Sequence, residues 1–220
     1  MVMNAKVDAA RRQMIEQQVR TWDVLDQRVL DTLAAVPRER FVPEEYRGVA
    51  FAETAIPIGH GQFMLEPALE GRILQSLAPV RGERVLEVGT GSGFFAACLA
   101  HLTGTVESIE IHADLAQRAM VAIDELGVSR VQVETGDALA REYDARYDVI
   151  AVTGSLPLQD RRFERALTVG GRLFIVIGSA PIMEARLITR TGDESWLTEA
   201  LFETCIEPLL PPKPISRFKF

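Results

Sequence analysis

Three glycines at alternate positions form the most distinctive chemical motif of the chain. Gly89, Gly91 and Gly93 follow the apolar run 85–88 and precede a helical pattern that begins at Phe94. Glycines at such a turn permit tight backbone bends and let a ligand lie against the backbone, because no Cβ is in the way. Free N–H groups at the start of a helix favour a carboxylate or a phosphate. The motif therefore predicts a small-molecule site between a strand and a helix.

The acid that precedes this turn separates two classes of ligand. The glycines follow the pattern G-x-G-x-G, whereas dinucleotide-binding sites carry G-x-G-x-x-G. Glu87 lies two residues before the first glycine, where its carboxylate could hold an ammonium group and would repel a pyrophosphate. S-adenosylmethionine carries an amino group and a carboxylate in its methionine part. We therefore predict S-adenosylmethionine as the cofactor and S-adenosylhomocysteine as its product; a tight turn without a ligand is the alternative interpretation.

Two further acids close the next two predicted strands. Glu110 ends the second strand, and Asp137 follows the third. Ligands of open α/β sheets bind at the carboxyl ends of the strands, and an acid after the second strand can accept hydrogen bonds from ribose hydroxyls. We expect Asp137, or the backbone beside it, to meet the adenine amino group. The cofactor-binding residues predicted in this part of the chain are Glu87, Gly89, Thr90, Gly91, Ser92, Gly93, Glu110, Ile111, Asp137 and Ala138.

The elements that must position these residues alternate between short strands and helices. Strands are predicted at 84–88, 105–111, 131–134, 147–152 and 172–177, and helices at 94–102, 113–126 and 160–167. Such alternation indicates the α/β class with a doubly wound, mostly parallel sheet. The sequence therefore predicts the Rossmann-like fold of S-adenosylmethionine-dependent methyltransferases.

The two ends of the chain have a different character from this core. The first third shows helical spacing, then a long loop is predicted over 50–66, and Pro67 suits the first turn of another helix. Segments 185–191 and 196–206 predict a terminal antiparallel hairpin, followed by a proline-rich tail. We expect a single domain over residues 1–220. Its parts are the amino-terminal helices and active-site loop (1–80), the cofactor-binding core (81–180), and the hairpin and tail (181–220).

Composition and charge exclude several classes of protein. The 220 residues carry a formal net charge of −7, which disfavours non-specific binding to nucleic acid or to an anionic membrane. No apolar run approaches the roughly 20 residues of a membrane helix, so no membrane partner is expected. Cys98 and Cys205 show no metal-ligand spacing, and we predict no metal site. Charged residues interrupt any signal-peptide core near the amino terminus, so a cytoplasmic location is expected.

Three segments together resemble the protein-L-isoaspartate O-methyltransferases. They are residues 34–43 (AAVPRERFVP), residues 56–62 (IPIGHGQ) and residues 86–93 (LEVGTGSG). The resemblance runs from about residue 14 to about residue 178. It implies a protein-repair enzyme that methylates the α-carboxylate of isoaspartyl residues in damaged proteins or peptides. The ester then collapses to a succinimide, and its hydrolysis partly restores aspartate.

The sequence departs from this family at the active-site segment. In the family, Gly-Gln is followed by Thr-Ile-Ser, and the serine lies beside cofactor and substrate. Here Gln62 and Pro67 establish the register, and Phe63-Met64-Leu65 replaces the triplet, with Leu65 at the serine position. Because a leucine side chain cannot form a hydrogen bond with a carboxylate, this departure bears directly on the acceptor.

The resemblance implies further site residues on both sides of this segment. Met64 and Leu65 would contact the cofactor, and Leu65 and Gln62 occupy catalytic positions, with His60 as a weaker candidate for a proton acceptor. An ionised carboxylate needs no base, so His60 matters only for another acceptor. The substrate-binding positions implied are Ile58, Gly59, Phe63, Thr153, Gly154 and Ser155, the last three in a loop after the fourth strand.

Two other hypotheses are compatible with the same residues. In the first, the cofactor is retained, and an apolar pocket formed by the 63–65 segment takes a different acceptor, such as a small aromatic molecule or a modified peptide. In the second, the chain is a non-catalytic module that binds S-adenosylmethionine.

Overall fold

A computed structural model describes residues 2–128 and 130–209. The amino-terminal third is helical, as predicted. Its elements are α1 (Val2–Met14), a π-helical turn (Ile15–Val19), a 3₁₀ turn (Arg20–Trp22), α2 (Gln27–Ala35), and two further 3₁₀ segments (Arg38–Arg40 and Glu44–Val49). A short antiparallel hairpin of β1 (Ile56–Gly59) and β2 (Gln62–Met64) follows, and then α3 (Pro67–Leu77).

A seven-stranded sheet forms the centre of the molecule. Its strands are β3 (Arg84–Val88), β4 (Thr105–Glu110), β5 (Val131–Thr135), β6 (Tyr147–Leu156), β7 (Leu167–Ser179), β8 (Ile182–Gly192) and β9 (Ser195–Thr204), in the spatial order β5-β4-β3-β6-β7-β8-β9. The first five in that order are parallel, and β8 and β9 continue antiparallel from β7. This confirms the predicted mostly parallel sheet with a terminal antiparallel hairpin.

Helices cover both faces of the sheet because its strands are apolar on both sides. The helices of this half are α4 (Phe94–Thr103), α5 (Ala113–Glu125) and α6 (Arg161–Arg165). Val85 and Val149 belong to a core shared with residues of α2 to α5, whereas Leu86 and Ile150 pack in a second core with Phe163 of α6. This alternation follows from the two-residue period of a strand.

Two predictions about loops are wrong in their details. The predicted loop over 50–66 contains the β1–β2 hairpin. The prediction missed it because glycine and proline, which are frequent in this segment, are typical of loops. The fourth strand of the core, β6, extends to Leu156, so residues 153–155 lie within a strand and not in a loop after it. Pairing with β7 carries β6 to Leu156. The later segment adds two backbone bonds, as Ser155 N donates to Glu207 O (2.9 Å) and Leu209 N donates to Ser155 O (3.1 Å).

The remaining differences concern the last third of the chain. Strand β7 begins at Leu167, directly after α6 ends at Arg165, so the predicted helix over 160–167 is too long. The predicted tail beyond residue 210 lies outside the described residues. Within the described ranges, no helix combines the length and the apolar composition that crossing a membrane requires.

Candidate active site

A cleft opens at the carboxyl ends of four parallel strands, β3 to β6. It encloses about 600 Å³, including space open to solvent. Its floor comes from the glycine turn and the strand ends, and its roof comes from the β1–β2 hairpin. The lining residues are Ile58, Gln62, Phe63, Val88, Gly89, Gly91, Ile109, Glu110, Ile111, His112, Leu115, Gly136, Asp137, Ala138, Leu139, Thr153, Gly154 and Leu209. The topology thus brings half of the predicted cofactor residues to this cleft, namely Gly89, Gly91, Glu110, Ile111, Asp137 and Ala138.

The glycine turn is shaped by backbone conformation and by its neighbours. Gly89 has φ of 95° and Gly91 has φ of 53°, both in the left-handed region. Thr153 Oγ1 donates to Gly89 O at 2.7 Å. A Cβ added to Gly89 would lie 2.7 Å from Thr153 Oγ1. Gly93, with φ of 87°, serves a different contact, because its Cβ would lie 3.0 Å from the Cβ of Ala119 in α5. Gly93 therefore lets α4 pack closely against α5.

Glu87 lies completely buried beneath this turn. Ser108 Oγ donates to its Oε2, and Thr90 Oγ1 lies 2.5 Å from Ser108 Oγ. Its other oxygen, Oε1, has no hydrogen-bond partner among the described residues. Burial raises the pKa of Glu87 to about 8, while the Ser108 hydrogen bond opposes this rise. A buried oxygen without a partner is costly, and it fits an ammonium donor of the kind that the cofactor carries.

Glu87 also lines a smaller cavity beside the cleft, the inner cavity, of about 310 Å³ including space open to solvent. Its walls are Phe63, Met64, Leu65, Glu70, Glu87, Gly89, Thr90, Gly91, Ser92, Phe95 and Thr153. Two buried carboxyl groups, those of Glu70 and Glu87, face this one space. The glycine turn and the unpartnered oxygen of Glu87 together fit the methionine part of S-adenosylmethionine.

The other two predicted acids lie at neighbouring strand ends. Both oxygens of Glu110 accept backbone hydrogen bonds, Oε2 from Gly91 N (2.8 Å) and Oε1 from His112 N (3.0 Å). Each carboxylate oxygen keeps a second acceptor site, so Glu110 can still receive a ribose hydroxyl. Asp137 Oδ1 accepts from Leu139 N at 2.8 Å and starts a short 3₁₀ turn. Residues 136–139 line the cleft at this end.

A second opening lies on the other side of the 63–65 segment. This side groove has a volume of about 620 Å³, including space open to solvent, and is lined by Ala55, Gln62, Phe63, Leu65, Glu66, Leu69, Thr153, Thr204, Cys205, Ile206 and Glu207. Phe63 and Thr153 line the cleft, the inner cavity and the side groove alike. A methyl group could therefore pass from a cofactor in the cleft to an acceptor in the groove beside these two residues.

The triplet that replaces the family motif has graded exposure. Phe63 is 39% exposed, whereas Met64 is buried and faces the inner cavity. Leu65 is half-buried, and its carbonyl accepts a hydrogen bond from Arg38 Nη2 at 2.6 Å. Gln62 bridges from the hairpin to the carboxyl-terminal segment, because its Nε2 donates to Pro208 O at 3.2 Å.

His60 lies at the tip of the hairpin, with φ of 55°. Its ring stacks on that of His112 at 3.9 Å between centroids, and its Nε2 lies 2.8 Å from Asp114 Oδ1. Arg118 Nη2 donates to Ile58 O at 2.8 Å. These contacts tie the roof of the cleft to α5. His60 is absent from the described lining of the cleft, the side groove and the inner cavity. Its contacts therefore make it a clasp, a residue that holds the hairpin against α5.

The remaining predicted substrate positions are divided by the fold. Thr153 and Gly154 line the cleft, and Leu209 packs so closely that its Cδ2 would lie 2.8 Å from a Cβ on Gly154. Ser155 is buried, and its Oγ donates to Ile206 O at 3.1 Å, so it holds the carboxyl-terminal segment. Gly59, in the hairpin turn, is not among the described lining residues of cleft or groove.

Sequence reasoning missed two residues of this site, Arg38 and Glu70. They form a buried ion pair next to the backbone of Leu65. A signal was present, because Glu70 falls on the apolar face that Ile73, Leu74 and Leu77 form in α3. In the described ranges, the acids, histidines and cysteines form no group suited to a metal ion.

The sheet, the glycine turn and the acidic cleft define the class of the S-adenosylmethionine-dependent methyltransferases. A family model described as protein-L-isoaspartate(D-aspartate) O-methyltransferase matches residues 9–210. The chain belongs to this family, and S-adenosylmethionine is its cofactor.

Similar proteins cover most of the chain. A Rhodopseudomonas palustris protein-L-isoaspartate O-methyltransferase 1 is 37% identical over 205 residues, which are 92% of this chain and 83% of the relative. An Aeropyrum pernix protein-L-isoaspartate O-methyltransferase is 37% identical over 206 residues, covering 91% and 79%. A Plasmodium falciparum structure of that family, in complex with S-adenosyl-L-homocysteine, superimposes with a TM-score of 0.78 at 20% identity, covering 91% of this chain and 98% of that one. This last likeness concerns the fold.

Proposed function

We propose that this methyltransferase esterifies the α-carboxylate of isoaspartyl residues in proteins or peptides. The observation that carries the proposal is the meeting of two openings at Phe63 and Thr153: a cleft suited to the cofactor and a side groove open to an extended acceptor. Membership of the family supports the same acceptor. The regions 1–80, 81–180 and 181–209 all contribute residues to these openings, which supports a single catalytic domain.

The chemistry requires positioning more than proton transfer. S-adenosylmethionine supplies a methyl group on a sulfonium, whose sulfur becomes neutral as the new carbon–oxygen bond forms. An α-carboxylate is already ionised at pH 7, so no base is needed. We propose that Glu87 holds the amino group of the cofactor, that Glu110 holds its ribose, and that Phe63 and Thr153 align the acceptor oxygen. Alignment of this kind can supply about 7–11 kcal/mol of a barrier.

An assay of methyl ester formation tests the acceptor. The purified chain is incubated with methyl-labelled S-adenosylmethionine and an isoaspartyl peptide, with the same peptide carrying normal aspartate as the control. We expect base-labile methyl incorporation into the isoaspartyl peptide alone. Protein that binds S-adenosylhomocysteine but labels neither peptide would refute the isoaspartyl acceptor.

Substitution of Leu65 by serine is expected to increase kcat/KM for the isoaspartyl peptide about tenfold. A hydroxyl at this position gives the acceptor carboxylate a partner, and one such hydrogen bond to a charged group contributes about 1.5–3 kcal/mol. Leu65→Ala is the matched control, since it removes the same bulk without adding a hydroxyl. An equal increase in both variants would show that space, and not the hydroxyl, limits turnover.

Loss of the His60 side chain is expected to accelerate release of S-adenosylhomocysteine about 3- to 10-fold. His60→Ala removes both the stack on His112 and the contact with Asp114, so the roof of the cleft opens more easily. The change should be modest, because both side chains are exposed and exposed contacts contribute little. Stopped-flow displacement gives the dissociation rate. His101→Ala, which removes a contact with Thr32 far from the roof, is the control, and equal rates in both variants would count against the clasp.

A further inference from the structure

Arg38 is the largest completely buried side chain in the described part of the protein, with 0% of its surface exposed. It lies at the start of a 3₁₀ turn after α2. Burying a guanidinium costs several kcal/mol unless its donors are satisfied, and an ion pair in such a place often stabilises no better than apolar residues. The role of a buried arginine is therefore better sought in the positions of the groups that it contacts than in stability.

The guanidinium contacts four separate segments. Its Nε donates to Ala50 O at 2.9 Å, and its Nη2 donates to Leu65 O at 2.6 Å. Its Nη1 pairs with the carboxylate of Glu70, and its carbon lies 5.1 Å from the ring centroid of Phe94. A planar group with fixed donor directions can join such partners at one geometry, which a lysine ammonium cannot reproduce.

Two of these partners lie at the end of the active-site triplet and just after it. Leu65 follows β2 directly, and Glu70 lies in the first turn of α3, so one guanidinium holds both ends of the connection between them. Phe94 opens α4, the helix that follows the glycine turn. Arg38 therefore fixes the position of the 63–65 segment relative to the glycine turn through the backbone of Leu65, whatever side chain stands there.

We propose that Arg38 and Glu70 form a positioning pair for methyl transfer. The pair sets the position of the 63–65 segment relative to the glycine turn, and so aligns the acceptor in the side groove with the cofactor in the cleft. This inference rests on the proposed methyltransferase function. Arg38 is not among the described lining residues of the cleft, the side groove or the inner cavity, and Glu70 lines only the inner cavity; the pair acts on the acceptor side through the backbone of Leu65.

The decisive variant is the double substitution Arg38→Leu with Glu70→Leu. Replacing a buried ion pair by apolar residues of similar volume is often neutral or stabilising, so the variant should fold. It nevertheless loses the hydrogen bond to Leu65 O. We expect kcat on the isoaspartyl peptide to fall about 10- to 100-fold, since a displacement of about 1 Å can cost that much. The Kd for S-adenosylmethionine should change less than kcat does, because Glu87, Glu110 and Asp137 are kept and only the Glu70 wall of the inner cavity is altered.

A second measurement does not depend on the acceptor. In the complex with S-adenosylhomocysteine, amide hydrogen exchange of residues 63–66 should become at least tenfold faster in the double variant, while exchange in β3 and β6 stays unchanged. Arg38→Lys keeps the charge and should give an intermediate kcat and intermediate exchange. The control is Glu16→Leu with Arg20→Leu, which removes an exposed ion pair in the amino-terminal region.

The outcomes separate this inference from the proposed acceptor. If wild-type protein leaves the isoaspartyl peptide unmethylated, the acceptor is wrong, and hydrogen exchange alone decides the role of the pair. If the folded double variant keeps both kcat and exchange within threefold of wild type, the pair is only structural and the inference fails. If the double variant does not fold, unchanged exchange and kcat in Arg38→Lys would overturn it equally.

Discussion

Replacement of Glu87 by glutamine is expected to weaken the binding of S-adenosylmethionine about 10- to 100-fold at pH 8. The unpartnered Oε1 of Glu87 is the acceptor that we assign to the cofactor's ammonium group. A hydrogen bond to a charged group contributes about 1.5–3 kcal/mol, and each 1.4 kcal/mol is about tenfold in affinity. The amide keeps the size of the side chain but carries no negative charge. The loss should therefore fall on affinity and leave the fold intact.

The same variant should also remove the rise of affinity with pH. Burial raises the pKa of Glu87 to about 8, so below that pH the free protein carries this carboxyl protonated. Binding an ammonium group favours the ionised form, and the proton must then leave. Affinity should rise with pH by up to about tenfold per unit between about pH 6 and 8. Above about pH 8 the cofactor's own α-amino group loses its proton, and affinity should fall again.

Calorimetric titration with S-adenosylmethionine from pH 6 to 9 measures both effects. Wild-type protein should show a maximum near pH 8, and Glu87→Gln should show no rise below it. Glu203→Gln, which changes an exposed acid of β9, is the control and should keep the wild-type profile. An affinity within threefold of wild type, or an unchanged profile, would show that Glu87 does not hold the amino group.

Substitution of Gly89 by alanine is the second change with a large expected effect. The residue has φ of 95°, and its Cβ would lie 2.7 Å from Thr153 Oγ1 and 3.3 Å from Leu209 Cδ2. Thr153 cannot easily move, because its hydroxyl donates to Val88 O and Gly89 O. Backbone strain of this kind costs about 1–3 kcal/mol, and the steric clash adds to it. We expect the free energy of unfolding to fall by about 2–4 kcal/mol.

Cofactor binding should suffer more than stability in this variant. The added methyl group lies at the wall of both the cleft and the inner cavity, where the cofactor must approach the backbone. We expect affinity for S-adenosylhomocysteine to fall at least about 100-fold, measured by calorimetry beside a urea unfolding curve. Gly48→Ala is the matched control, as its Cβ would meet nothing within 4 Å and should be neutral or slightly stabilising. Equal affinities in the two variants would contradict the claim that the cofactor lies against the backbone of the glycine turn.

Sequence patterns were sufficient for the architecture because local chemistry encodes it. The period of two in the strands, the helical spacing between them and the glycine turn predicted a Rossmann-like sheet, and the structure confirms it. The same reasoning predicted that Glu87, Glu110 and Asp137 gather at one edge, since parallel strands end together. It also identified Leu65 as the position where this chain departs from its family. Each of these inferences depends on neighbours along the chain.

Contacts between distant segments were decided only by the tertiary structure. The hydrogen bond of Gln62 to Pro208 O joins residues 146 positions apart, and the Arg38–Glu70 pair spans 32 positions. The spacing of apolar residues along the chain does not predict such pairs, because they form only when separate elements pack together. For the same reason the hairpin in the predicted 50–66 loop escaped notice, since its two strands are short and rich in turn residues. Sequence alone thus determined the fold and the cofactor edge, whereas the packing of Arg38 and of the hairpin decided how the acceptor side is built.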